Sequence, residues 1–442
     1  MTVTVRENKK TDADITTVIL RPGEVNVSAG VFGTAPLYLA PVGGELHGSW
    51  DLPELSPYLR ADRLCPRVIA RTLTRQHRYT ADTLFEGVHR LTERATARFT
   101  QSGLVLTYPE PAEHVLEPRV LRPGVDPLAA FDALLFDVVN GAAASATGRV
   151  AVEVSGGADS ANVALTLATA DYGQVCSFGL LMGGALGTQQ SERRRVLTDH
   201  LGFRDTAIPA MQHPPFVAGG VRALGLRHDP AGAFYQEAFD ALREQVVRRG
   251  CEVVFVGSGG DEVNAHHSRT DARLPETDPV PWLGNRAVEA LAERDDHVAP
   301  APVLPVPTLI GFGLHNPAYL RLGIWPVAPL ADPRLVRFME QLPHEHKRGK
   351  AMFRERLRRV GLPESVAAPT EPENFLGVME AGLRTYGLPI LEGMLKESLL
   401  VDLAYVDRDA LARARDHAER SDVVPDFLCD TIALEVGLRS LA

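Results

Sequence analysis

Residues 149–160 have the sequence RVAVEVSGGADS. The apolar run is typical of a buried strand, and the two glycines after it let the backbone approach an anion where a helix begins. Asp159 would repel a phosphate, which points to a Mg²⁺ between the two. The alternative is a plain turn with Asp159 near a helix N-cap. The residues predicted to bind the anion are Ser155, Gly156, Gly157, Asp159 and Ser160.

A second glycine-rich loop, GSGGDE at residues 257–262, also directly follows a strand-like run. Because parallel strands carry their carboxyl ends at one edge of a sheet, we expect Asp159 and Asp261 to face one cavity. Two carboxylates beside two such loops suit Mg²⁺ bound to a polyphosphate, with both as metal ligands. The alternative is a flexible connection. The residues of this loop predicted to bind the ligand are Gly257, Ser258, Gly259 and Gly260.

Strand and helix patterns alternate from about residue 126, which predicts an α/β fold with a parallel sheet and helices on both faces. A helical C-terminal part follows. Residues 1–125 are rich in short strand patterns, with helices predicted at 69–77 and 81–91. Five prolines between residues 109 and 127 separate the two regions. We therefore expect two domains, residues 1–125 and 126–442.

Composition narrows the class of protein. Of the 442 residues, 45% are hydrophobic and 23% charged, which excludes a disordered chain, and no apolar run is long enough to span a membrane. The net charge of −10 does not favour nucleic-acid binding. The N-terminus lacks an apolar secretory signal, so we expect a cytoplasmic protein. No two cysteines form a CxxC pair, and those at positions 176 and 251 are expected to be buried thiols.

Lysine occurs at only five positions, and one of them, Lys350, heads a predicted helix at residues 351–360. Most such lysines are solvated surface residues. In a phosphate site, however, a lysine ammonium can neutralise charge that develops on a phosphoryl oxygen.

Taken in order, these motifs resemble the synthetase domain of the asparagine synthetase family over roughly residues 128–365. That family carries a pyrophosphate-binding loop SGGxDS and a later G-x-G-x-D-E segment. The family also has a downstream block with the order PFLDxxL, LP, K and LR, and residues 329–354 of this chain are similar to it. The stretches that carry the resemblance are SGGADS (155–160), SFGLLM (177–182), GSGGDE (257–262), PLADPRL (329–335), and Lys350 with Arg354.

The resemblance implies ATP and Mg²⁺ as ligands. The triphosphate would lie on residues 155–160, with Mg²⁺ bridging Asp159, Asp261 and the phosphates. A substrate carboxylate would attack the α-phosphorus and release pyrophosphate, and the acyl-adenylate would pass to an amine or ammonia and release AMP. By its motif position, Lys350 takes the role of the catalytic cation. Asp261 and Glu262 complete the implied catalytic set.

The chain departs from the family at two positions. Ser258 stands where asparagine synthetases have Glu and the β-lactam-forming relatives have Tyr, and a hydroxyl is too weakly basic to deprotonate an ammonium. We therefore expect another base, with Glu262, His266 and His267 as candidates, or an amine that arrives neutral. The two histidines are otherwise a polar loop pair. Val327 replaces an arginine of the family, so ordinary asparagine synthesis is not expected.

The N-terminal part resembles a different domain. Residues 31–52 and 83–91 are similar to segments of the class II glutaminase domain, and nothing similar to the front half of that domain is expected in this sequence. Residue 2 is Thr instead of the nucleophilic Cys, and no Cys precedes position 65. We expect residues 1–125 to be a truncated, non-catalytic remnant that scaffolds or gates the site, without glutamine hydrolysis.

Three functions stay open at this point. The first is an amide ligase for a small-molecule or peptide carboxylate in specialised biosynthesis, acting on an external amine or, like β-lactam synthetases and lasso-peptide cyclases, within one molecule. The second is an inactive nucleotide-binding subunit of a partner protein. The third is RNA thiolation, which the acidic composition and the lack of a cysteine near the loops disfavour. A homodimer and a separate partner protein are both open as assemblies.

Overall fold

The structure, a computed structural model, describes residues 16–441 except residues 116, 145, 147, 171, 173–174, 265–279, 296, 372 and 422–423. The N-terminal region is β-rich, as predicted, and its strands form two antiparallel sheets with the orders β1-β2-β6-β7 and β4-β3-β5. Its elements are β1 (Thr17–Arg21), β2 (Glu24–Ser28), β3 (Leu37–Val42), β4 (Glu45–Ser49), α1 (Pro66–Leu73), β5 (His89–Leu91), β6 (Thr96–Thr100) and β7 (Gly103–Thr107).

The helix predicted for residues 81–91 is wrong, since the only regular element there is β5. The Thr83 hydroxyl accepts a 3.2 Å hydrogen bond from the Phe85 N–H and donates a 2.9 Å bond to the Val88 carbonyl. Such bonds between a side chain and the local backbone compete with helical ones. Gly87 then adopts a φ of +78°, outside the helical region.

A five-stranded parallel sheet with the order β10-β9-β8-β11-β12 forms the centre of the molecule. The α/β class predicted from the sequence is confirmed, although β12 was not expected. Its strands are β8 (Arg149–Glu153), β9 (Val175–Leu181), β10 (Arg204–Pro209), β11 (Cys251–Phe255) and β12 (Trp325–Val327). The first four strands in chain order are connected by α3 (Ala158–Thr169), α4 (Gly184–Leu201) and α5 (Gln236–Arg248). Helix α2 (Pro127–Ala143) precedes β8, and α6 (Gly260–Asn264) follows β11.

Helices cover both faces of this sheet because successive side chains of a strand point to opposite sides. In β8, Val150 and Val152 pack in a core with residues of α2 and α3. Ala151, between them, packs in a second core with Leu242 of α5. Both faces of β8 are therefore buried, which explains why its sequence is apolar without alternation.

The C-terminal part is helical, and one of its cores also contains residues of α1, such as Ile69, with Trp282 and Leu428. The domain boundary at residue 125 stays a prediction. No helix in the described part of the chain has the length and hydropathy that a membrane span requires. The C-terminal helices are α7 (Asn285–Ala292), α8 (Val306–Leu320), α9 (Pro333–Gln341), α10 (His344–Lys347), α11 (Ala351–Arg359), α12 (Glu364–Ala367), α13 (Leu376–Gly382), α14 (Leu388–Met394), α15 (Leu399–Asp402), α16 (Arg408–Arg420) and α17 (Phe427–Leu441).

A buried ion pair ties α5 to the preceding loop. The side chains of Arg222 and Glu237 are each 2% exposed, and their closest N–O distance is 2.5 Å. Replacing Glu237 by Gln leaves the buried guanidinium without its counter-charge, so we expect the free energy of unfolding to fall by about 3 kcal/mol in urea denaturation. The exposed Glu244 of the same helix is the matched control, and its change to Gln is expected to cost at most about 0.5 kcal/mol. Equal losses would contradict the role given to burial.

Candidate functional site

The first glycine-rich loop follows the carboxyl end of β8 and leads directly into α3. Gly156 adopts a φ of +102°, a conformation that side-chain-bearing residues rarely take. The hydroxyl oxygens of Ser155 and Ser160 lie 3.2 Å apart, and the Gly157 N–H donates a 3.2 Å hydrogen bond to the Ser155 hydroxyl. These bonds close a tight turn at the helix start, where free backbone N–H groups stabilise an anion.

The second loop packs directly against the first, because β8 and β11 are adjacent parallel strands. A Cβ atom on Gly257 would lie 2.8 Å from the Ser160 nitrogen, and one on Gly260 would lie 2.3 Å from the Asp159 Cγ atom. Only residues without a side chain allow this approach. The two loops therefore meet at one edge of the sheet, as expected from the sequence.

Lys350 joins the carboxylates of the two loops. Its Nζ atom lies 2.7 Å from Asp159 Oδ2 and 2.6 Å from Asp261 Oδ1. Lys350 itself has a φ of +61° and ends a short 3-10 segment, Arg348–Lys350, immediately before α11. A left-handed backbone is uncommon for lysine and is held only where the surrounding structure fixes it. The structure thus brings together three charged residues that lie far apart in sequence.

Burial and like charge perturb the acids of this site. Desolvation raises the pKa of Asp159 to about 6, against the attraction of Lys350 and with added repulsion from Asp261 and Glu262. The pKa of Glu262 is also raised, first by burial. Desolvation lowers the pKa of the Lys350 ammonium, but its two carboxylate partners together raise it above its ordinary value. The Lys350 ammonium therefore offsets part of the cost of burying the Asp159 carboxylate beside other acids.

The residues present fit a divalent cation bound together with phosphate. Asp159 Oδ1 is buried and has no hydrogen-bond partner among the described residues, while the side chain of Asp261 is 82% exposed. The described residues contain no group of three or more His, Cys, Asp or Glu side chains arranged around a metal. Mg²⁺ is usually bound by one or two carboxylates plus substrate phosphates and water, which matches this pair.

The other predicted residues have varied positions. Ser258 is exposed and Glu262 is half-buried, next to Asp261 on α6. His266 and His267 lie outside the described residues. Gly259 lies in the second loop between Gly257 and Gly260, and it is buried. The catalytic and binding roles given to all these residues stay predictions.

Sequence reasoning missed Gln190, which supports the first loop from α4. Its amide nitrogen donates to the carbonyl oxygens of Ser155 at 2.7 Å and of Leu180 at 2.9 Å, and its Oε1 atom accepts from the Met182 N–H at 2.9 Å. Gln190 is fully buried, so these bonds fix the loop to β9. A glutamine inside an otherwise polar helix gives no signal in the sequence for this role.

A second missed pair lies beside the first loop. Arg193 of α4 donates a 2.5 Å hydrogen bond to Glu373, which lies between α12 and α13. The Arg193 side chain is 5% exposed and that of Glu373 is 13% exposed. Because 180 positions separate the two, no local pattern could have paired them.

Comparisons with known proteins add a likeness to one type of enzyme. No protein-family model matches the sequence, and no curated protein matches it. Among solved structures, the chain is similar to the U34-tRNA thiolase NcsA from Methanococcus maripaludis with its [4Fe-4S] cluster, at 11% identity and a TM-score of 0.24. The likeness covers 57% of this chain and 82% of that one. At that TM-score it supports no conclusion about function.

Proposed function

We propose that this protein is a cytoplasmic ATP-dependent ligase that adenylates a substrate carboxylate and forms an amide. The observation that carries the proposal is that the Lys350 Nζ atom lies 2.7 Å from Asp159 Oδ2 and 2.6 Å from Asp261 Oδ1, where two glycine-rich loops touch. This arrangement supplies backbone donors for phosphate, two carboxylates for a divalent cation, and a mobile positive charge. These are the groups that phosphoryl chemistry needs.

The chemistry follows from what each group can stabilise. A substrate carboxylate oxygen attacks the α-phosphorus of ATP, the bond to the bridging oxygen breaks, and pyrophosphate leaves. Charge accumulates on the pyrophosphate, which the N–H groups at the start of α3 and the Lys350 ammonium stabilise. An amine then attacks the acyl carbon, AMP leaves, and the amine gives up a proton.

Mg²⁺ would be held by Asp159 and Asp261 together with phosphate oxygens and would neutralise charge on the triphosphate. In the structure the Lys350 ammonium contacts both carboxylates, so a cation already lies between them. With these carboxylates bound to Mg²⁺, the Lys350 ammonium would be free to contact the phosphate oxygens. Its flexible four-carbon stem allows such a change of partner.

Glu262 is the proposed base for the amine. Its raised pKa makes its carboxylate a better proton acceptor than an ordinary surface glutamate, and its neighbour Asp261 contributes to the shift. Ser258 has no comparable basicity. We propose a small metabolite or a peptide as the source of the carboxylate. The amine is either a separate molecule or part of the same substrate. We propose residues 1–125 as a non-catalytic remnant, so that glutamine is not the nitrogen donor.

Sulfur transfer is less well supported by this geometry. Cys251 is the first residue of β11 and Cys176 lies near the start of β9, at the strand ends opposite to the glycine loops. Burial raises the pKa of the Cys251 and Cys429 thiols to about 12, and it also raises that of Cys65. Sulfur nucleophiles react as thiolates, which such environments disfavour.

The test is ATP–pyrophosphate exchange with pools of amino acids, dicarboxylic acids and short peptides in the presence of Mg²⁺. Adenylation returns label from pyrophosphate to ATP only when the pool contains the carboxylate, and mass spectrometry with added amines then identifies the amide. Carboxylate-dependent exchange with AMP in the final products supports the proposal. Label exchange that needs no carboxylate, or products that contain ADP, would contradict it.

A further inference from the structure

A carboxylate lies on the first glycine loop. A Cβ atom on Gly156 would be 2.7 Å from Glu373 Oε1, and one on Gly157 would be 3.6 Å from Glu373 Oε2. The loop therefore already contacts a negatively charged group at the place where backbone and helix start favour an anion. The anion in this structure belongs to the chain itself.

Arg193 approaches the same point from α4. Its Nη2 atom donates to Glu373 Oε1, while its Nε atom is buried without a hydrogen-bond partner among the described residues. That Nε atom would lie 3.7 Å from a Cβ on Gly156. A guanidinium normally binds a carboxylate or phosphate through two parallel hydrogen bonds, so a buried donor is unused here. A phosphate with three oxygens could satisfy it.

We propose that Arg193 is a phosphate-binding residue of this site and that the Glu373 carboxylate takes the place of a phosphate group until nucleotide binds. The proposal rests on the proposed function, since it needs a polyphosphate on the first loop. Two anions cannot share one position beside Gly156 without a large repulsion, so binding requires Glu373 to leave. Arg193 then exchanges one anionic partner for another and stays paired in both states.

Glu373 lies between α12 and α13 and is not part of a helix or strand. Its departure therefore breaks no helical hydrogen bonds, and the main losses are the ion pair with Arg193 and the contact with the loop. Glu371, two residues earlier, is exposed and carries the same charge. It is the matched control for any effect of net charge in this segment.

The experiment measures the dissociation constant of Mg²⁺–pyrophosphate by titration calorimetry for the full chain and its variants. Glu373→Gln removes the competing charge, so we expect about tenfold tighter binding, while Glu371→Gln should change affinity by less than about twofold. Arg193→Gln is expected to weaken binding at least about tenfold relative to wild type. The double variant is expected to bind at least about tenfold more weakly than Glu373→Gln alone. Thermal unfolding of each variant verifies that the fold is intact.

The outcomes separate this inference from the proposed function. If wild type binds Mg²⁺–pyrophosphate but Glu373→Gln binds it equally or more weakly, the exchange of anions is wrong and the proposed function is untouched. If Arg193→Gln binds as tightly as wild type, Arg193 is not a phosphate ligand. If neither wild type nor Glu373→Gln binds Mg²⁺–pyrophosphate, and the same calorimetry with Mg²⁺–ATP also finds no binding at millimolar concentration, the proposed function itself fails.

Discussion

Replacing Lys350 by Met is expected to reduce carboxylate-dependent ATP–pyrophosphate exchange at least about 100-fold, with a smaller effect on ATP affinity. Met keeps the length of the side chain but removes the charge. In the proposed mechanism that charge acts where pyrophosphate leaves, so the loss falls mainly on the rate. The readout is the exchange rate at saturating ATP and carboxylate.

Lys396 offers a matched control, because it is one of the few other lysines and is exposed. Its change to Met should leave the exchange rate within about twofold, as expected for an exposed side chain outside the site. Near-normal exchange in the Lys350→Met variant, with the fold verified by thermal unfolding, would remove Lys350 from the mechanism.

Replacing Asp159 by Asn is expected to lower the exchange rate about as much as Lys350→Met does, and also to change the Mg²⁺ dependence of ATP binding. The variant keeps the shape of the side chain and loses the charge that would hold Mg²⁺, so we expect exchange to fall at least about 100-fold. The Mg²⁺ concentration needed for half-maximal ATP binding should rise, because one of two carboxylate ligands is gone. Titration of ATP at a series of Mg²⁺ concentrations measures this directly.

Asp137 on α2 is exposed and provides the control for loss of one carboxylate. Asp137→Asn should retain the Mg²⁺ dependence of wild type. An Asp159→Asn variant whose ATP affinity follows Mg²⁺ as in wild type would show that the metal is bound elsewhere.

Much of the fold was predictable because it depends on local patterns. Strands β8, β9 and β11 of the central sheet are short apolar runs and are mostly buried, and β8 and β11 each end at a glycine-rich loop that marks the boundary of the strand. The positions of Asp159 and Asp261 also followed from a general rule, since both come directly after neighbouring parallel strands. The short β12 escaped notice because three residues, Trp325–Val327, are too few to show a period.

Contacts between distant segments were not predictable. Lys350 contacts Asp159 across 191 positions, from a left-handed backbone conformation that no local sequence pattern indicates. Its role was suggested by motif order and the rarity of lysine, and its partners came from the structure. Glu373 and Arg193 gave no signal, because each lies close to other charged residues, Arg193 in the run SERRR at 191–195, and such residues are mostly on the surface.

The most direct test of the central claim is a crystal structure of the protein with Mg²⁺ and an α,β-methylene analogue of ATP, whose scissile linkage cannot be cleaved. We expect the triphosphate on residues 155–160, Mg²⁺ about 2.1 Å from a carboxylate oxygen of Asp159 or Asp261, and the Lys350 ammonium turned from these carboxylates toward the phosphates. An analogue bound away from both glycine-rich loops would contradict it.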